Sequence, residues 1–98
     1  MPDAAVSEPL LRARLAREGL SPSRWCNGPR AVYGAHDHPY AKVLMVVSGS
    51  ITFTVEGAAR RVVPMRPGDR LDLPPRTPHS AVVGADGVVC LEAQRPSP

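Results

Sequence analysis

The sequence predicts an all-β fold closed into a sandwich or barrel, on three observations. Short runs rich in Val, Ile, Thr, Tyr and Phe recur along most of the chain, and such side chains suit the pleated, half-buried surface of a strand. Two of these runs, Ile51-Thr52-Phe53-Thr54-Val55 and Arg70-Leu71-Asp72-Leu73, alternate apolar with polar residues, which separates them onto the two faces of a strand. Turn signals divide the runs roughly every eight to twelve residues, the spacing of sandwiches and barrels. The 12 prolines and 8 glycines lie mostly at these breaks, so they punctuate strands.

Taken in order, residues 1–6 read as a loose tail. Ser7 is a helix N-cap, and Glu8 and Pro9 suit a first turn. Gly19 is a C-terminal stop. A helix of about three turns between them carries the stripe Leu10, Leu11 and Leu15, expected to pack on the main body. Strands are expected at Ser23–Asn27, Arg30–Gly34, Tyr40–Ser48, Ile51–Val55, Arg60–Met65, Arg70–Leu73, Ser80–Val83 and Val88–Gln94. Turns are expected at Asn27-Gly28-Pro29, Ser48-Gly49, Glu56-Gly57 and Gly84–Gly87. Arg66-Pro67-Gly68-Asp69 has the proline and glycine of a type II turn. The division is a tail and helix over 1–22, one β domain over 23–94, and a tail over 95–98.

Composition narrows the partners. A chain of 98 residues makes one domain with a modest core. The net charge is +3 and the pI about 9.4, but the basic residues are scattered, with Lys42 the sole lysine. A nucleic-acid groove needs clustered charge and stacking aromatics, so no nucleic-acid partner is expected. The longest apolar run, Val43–Val47, is too short to span a bilayer, and no membrane partner is expected. Met1–Glu8 lacks the apolar core of a signal peptide. Cys26 and Cys90 share no metal-type spacing and read as reduced thiols of a cytoplasmic protein.

The chemistry gathers in His36-Asp37-His38 and in Pro74-Pro75-Arg76-Thr77-Pro78-His79. On an extended chain residues i and i+2 point the same way, so His36 and His38 can converge, and the fold need only bring His79 to them. Three neutral imidazoles suffice to hold a divalent transition metal with positions left open.

These residues together resemble the cupin family. His36-x-His38, three residues, position 42, six residues and Gly49 follow its first motif, and Gly68, five residues, Pro74 and His79 follow its second. Lys42 stands at the family's glutamate, Arg30 and Arg76 at two of its glycines, and Val83 at its asparagine. The resemblance implies a jelly-roll barrel, a double-stranded β-helix, over about residues 23–94, with a short N-terminal α-helix added by this chain. It implies the metal ligands His36, His38 and His79. It also places Lys42, Leu44 and Val46 inside the barrel, and turns Val43, Met45 and Val47 outward, toward another layer or a second subunit. A homodimer is therefore expected.

Lys42 changes the charge of the implied site. An ammonium about 4 Å from a divalent ion is repelled by about 8 kcal/mol at an effective dielectric near 20. Neutralising it at pH 7 costs about 4.6 kcal/mol, whereas turning it away costs at most about 2 kcal/mol of rotamer entropy. Lys42 is thus expected to turn toward Asp72, another acceptor or an anionic substrate. The resemblance then implies a small metal-binding cupin acting on a small molecule, with Zn, Mn, Fe or Ni as cofactor and Lys42 as carboxylate clamp or general base. Tyr40, and beside it Tyr33, are the candidates for proton transfer. The reaction would be of oxygenase, isomerase, cyclase or lyase type. The alternative is a non-catalytic ligand-binding or sensing module.

Overall fold

A computed structural model describes residues 6–95; the tails expected at 1–6 and 95–98 lie outside them except for Val6 and Arg95. Helix α1 spans Glu8–Arg17. Ser7 caps it by accepting a hydrogen bond from the Leu10 amide, and Gly19, at φ +77, follows its end. Six strands follow: β1 Ser23–Asn27, β2 Val32–His36, β3 Ala41–Glu56, β4 Arg60–Met65, β5 Arg70–Leu73 and β6 His79–Arg95. No described helix is long and apolar enough to cross a membrane.

The long strands β3 and β6 are antiparallel partners from Ala41↔Arg95 to Val55↔His79, and they belong to both layers of the fold. In one layer the first half of β3 pairs with β5, and the second half of β6 pairs with β1. In the other, the second half of β3 pairs with β4, and the first half of β6 pairs with β2. Both layers contribute to one core that contains Leu44, Val46, Ile51, Phe53, Val83 and Cys90. The jelly-roll arrangement is thus present.

Two expected turns are not turns. Ser48-Gly49 lies within β3 and Gly84–Gly87 within β6. The ladder instead slips between Val46 and Ser48 and again between Gly49 and Ile51. These irregularities switch the side-chain parity, so that Leu44 and Val46 on one half and Ile51, Phe53 and Val55 on the other all face the same core. Glycine is required where the strands bend past each other. Gly49 has φ +74, and a Cβ there would lie 2.0 Å from the Gly87 carbonyl oxygen. At Arg66-Pro67-Gly68-Asp69 the turn does form: the Asp69 amide donates to the Arg66 carbonyl at 2.9 Å, with Gly68 at φ +90.

The outward row of β3 is covered within the chain. Val43, Met45 and Val47 are buried with Leu91 and Ala93 under Leu11, Leu15 and Leu20. The helix is therefore the layer that covers this row, and the row gives no support to a dimer. Leu10, expected in the packed stripe, is 52% exposed. Glu18 fastens the helix end by accepting from both Arg70 and Arg95. The cysteines are free. Cys26 pairs in register with Val89 and its neighbour Trp25 with Cys90, so the two thiols point to opposite faces. Burial pushes the Cys90 thiol up to about 12.

Candidate metal centre

Register brings the histidines together. His36 ends β2 and His79 begins β6, and the two are direct cross-strand partners. His38 follows in a loop tied to the second motif, because the Arg76 amide donates to the His38 carbonyl. The rings of His36 and His79 lie 4.4 Å apart by centroid, and that of His38 lies 4.9 and 5.3 Å from them.

Hydrogen bonding sets which ring nitrogens are free. His36 Nδ1 contacts the Gly34 carbonyl at 2.8 Å, and His79 Nδ1 contacts the Thr77 carbonyl at 2.9 Å. A carbonyl only accepts, so both Nδ1 atoms carry a proton, and in the neutral ring each Nε2 then keeps the lone pair. His38 Nε2 lies 3.5 Å from Lys42 Nζ; an ammonium only donates, so this nitrogen also presents a lone pair. Burial, followed by the Lys42 cation and the other two imidazoles, holds His38 below its ordinary pKa. Burial lowers His79 in the same way, against the Thr77 bond. Low values favour neutral, ligating imidazoles.

The group fits a metal. One ligand nitrogen from each of His36, His38 and His79 lies within 4.8 Å of the others. A tetrahedral ion with bonds of about 2.1 Å needs nitrogens roughly 3.4 Å apart, so the rings close in on an ion as it binds. Lys42 faces the same cluster, as its parity predicted, but its partner is not Asp72. Its Nζ lies 3.1 Å from Glu92 Oε2, while Asp72 accepts from Arg70 on the outer side. Glu92 escapes sequence reasoning because the second motif ends at position 83, well short of it in β6. The available signal is its parity with Val88 and Cys90, which puts a carboxylate on a buried face.

His36 and His79 open onto a cavity of about 260 Å³, whose walls include Trp25, Leu44, Phe53, Ser80, Lys42 and Glu92. The Trp25 indole N–H is buried without a hydrogen-bond partner among the described residues. Tyr33 lines the same cavity, its ring edge-on to Trp25 and its hydroxyl 2.6 Å from Asn27 Nδ2. Tyr40 lies elsewhere. It stacks on His38 at 5.0 Å and 18° and lines a second, polar groove that also includes Lys42 and Glu92.

Arg30 and Arg76, which replace two of the family's glycines, have φ +61 and +55. The backbone keeps the left-handed conformation that favours glycine although the residue has changed. The Cupin domain family profile matches residues 24–91, well over half of the chain. The chain belongs to the cupin family. Sequence comparison found no match among curated proteins. Among solved structures, a chain from those of the DMSP lyases RdDddP and RnDddQII superposes with a TM-score of 0.72 at 27% identity, over 80% of this chain and 39% of that one. KdgF from Halomonas sp. matches at 0.63 and 26%, over 80% and 71%. Oxalate decarboxylase of Bacillus subtilis matches at 0.71 and 22%, over 76% and 20%, and shares the fold; that enzyme has Mn(II) centres. This cupin thus spans about two fifths of the lyase chain and one fifth of the decarboxylase.

Proposed function

We propose that this cupin binds one divalent transition metal through His36, His38 and His79 and acts on a small molecule in the adjoining cavity. The observation that carries the reading is the convergence of three imidazoles beside one cavity, with the Nδ1 contacts of His36 and His79 leaving Nε2 to ligate and His38 Nε2 available once Lys42 Nζ moves off it. The Mn(II) centres of the Bacillus enzyme and the small-molecule substrates of the lyase and decarboxylase neighbours support it. A bound metal would supply Lewis acidity or an oxygen-binding position. The chain's own groups would do the rest. Leu44 and Phe53 exclude water from the cavity floor, the Trp25 N–H donates to a substrate oxygen, and Lys42 clamps a carboxylate or takes a proton. Tyr40 holds the His38 ring from the far side and offers a proton path through the second groove. The reaction belongs to the oxygenase, isomerase, cyclase or lyase types.

The test is metal content by plasma mass spectrometry on protein purified without a histidine tag and reconstituted with zinc, manganese, iron or nickel. About one ion per chain is expected, and clearly sub-stoichiometric metal overturns the reading. The second reading, a binding or sensing module without turnover, is favoured by Lys42 at the family's glutamate position. Tight ligand binding with no chemical conversion over hours would select it. As a homodimer, the chain would use the opposite face, where Val32, Val62 and Val82 are 73%, 65% and 51% exposed. Light scattering that gives a mass near 10.5 kDa would contradict that assembly. The free thiols suit a cytoplasmic location.

A further inference from the structure

Glu92 is the part of the cavity wall that neither the fold nor the ligand set explains. It lies opposite Leu44 on the inner face of β6, in period with Val88 and Cys90, both core residues. A charge on such a face needs a partner, and its partner is Lys42 at 3.1 Å. Lys42 Nζ in turn lies 3.5 Å from His38 Nε2. Carboxylate, ammonium and imidazole thus form a relay of contacts that ends on a lone pair facing the metal cluster. Position 42 on β3, where the family has its acid, holds a lysine here, and an acid stands one strand away on the same face.

We infer that Glu92 is the carboxylate ligand of this metal site, carried on β6 instead of β3, and that Lys42 holds it off the histidines. The inference rests on the three-histidine reading above. Glu92 is outside the group whose ligand atoms lie within 4.8 Å of one another; its carboxylate is paired with Lys42 instead. Both members of the pair also line the second groove, beside Ser21, Tyr40 and Gln94, so Lys42 has a polar place to move to. Glu92 can then swing about its side-chain torsions. One hard oxygen beside three imidazoles is a donor set for zinc, manganese or iron.

The experiment is a zinc titration of four proteins: wild type, Lys42→Met, Glu92→Gln and the double variant. Lys42→Met should bind zinc at least about tenfold more tightly, because the freed carboxylate bonds to the ion. Adding Glu92→Gln should remove that gain. Glu92→Gln alone should weaken binding about tenfold, since it leaves the ammonium uncompensated beside the histidines. Cobalt(II) absorption should differ between Lys42→Met and the double variant, reporting the lost oxygen ligand. Misfolding cannot imitate tighter binding. Equal zinc affinity in Lys42→Met and the double variant overturns the inference. Absence of zinc from all four proteins overturns the three-histidine reading itself.

Discussion

Lys42 and Glu92 on the inner face of β3 and β6, and Glu18, Arg70, Asp72 and Arg95 on the outer side, are two ion-pair clusters built on neighbouring strands. The outer cluster joins distant parts of the chain. Glu18 follows the helix, Arg70 and Asp72 are on β5, and Arg95 ends β6. Each group is partly in water, where an isolated pair adds little, but the two arginines converging on Glu18 fix where the helix lies. The inner pair joins adjacent strands that the ladder already holds, so it adds little to the fold. Its Lys42 is only 14% exposed and touches a candidate ligand. The two clusters therefore serve different ends. Outer charges assemble the layers, and inner charges set the potential at the histidines.

The largest effect separating the two faces should come from His79→Ala. Two imidazoles rarely hold an ion, so zinc affinity should fall at least about a hundredfold, as read by competition with a chromophoric chelator. Retained affinity would remove His79 from the site. On the outer face, Leu15→Ala empties a fully buried contact between helix and sheet. It should cost about 2–5 kcal/mol in urea unfolding while changing zinc affinity less than about twofold in the folded protein. A large change in affinity would mean that the two faces are coupled.

Glu18→Gln tests the outer cluster through pH. The hydrogen bond from Arg70, then that from Arg95, holds the Glu18 carboxyl at about 2, below its ordinary 4.5. A depressed folded pKa stabilises above the unfolded value, and that contribution is lost as pH falls through the folded one. The melting temperatures of wild type and Glu18→Gln should therefore differ most above pH 4.5, converge as pH falls, and come together only below about pH 2. A constant difference across that window would mean that the ion pairs contribute nothing.

The smallest effect concerns the arginines at φ +61 and +55. A left-handed residue costs about 1–2 kcal/mol, and glycine returns part of that by loosening the unfolded chain. Arg76→Gly and Arg30→Gly should each stabilise by up to about 1 kcal/mol in urea unfolding. Destabilisation would show that the arginine side chains hold these turns.

The two faces are unequally legible in the sequence. Ser23–Asn27, Arg60–Met65 and Arg70–Leu73 have the same bounds in the structure, because alternation and turn residues act locally. Ser48-Gly49 and Gly84–Gly87 look like turns in sequence because glycine serves a bend as readily as a turn, and only the approach of the two long strands decides between them. The three histidines are legible through motif spacing. Glu92 is not, because its pairing with Lys42 depends on a register between strands far apart in sequence.

The most direct measurement is an anomalous-scattering map of zinc-loaded crystals at the zinc edge. A three-histidine centre predicts one peak per chain, bonded by the Nε2 atoms of His36, His38 and His79 at about 2.1 Å. A map with no peak there, and with Lys42 Nζ still against His38 Nε2, would contradict it.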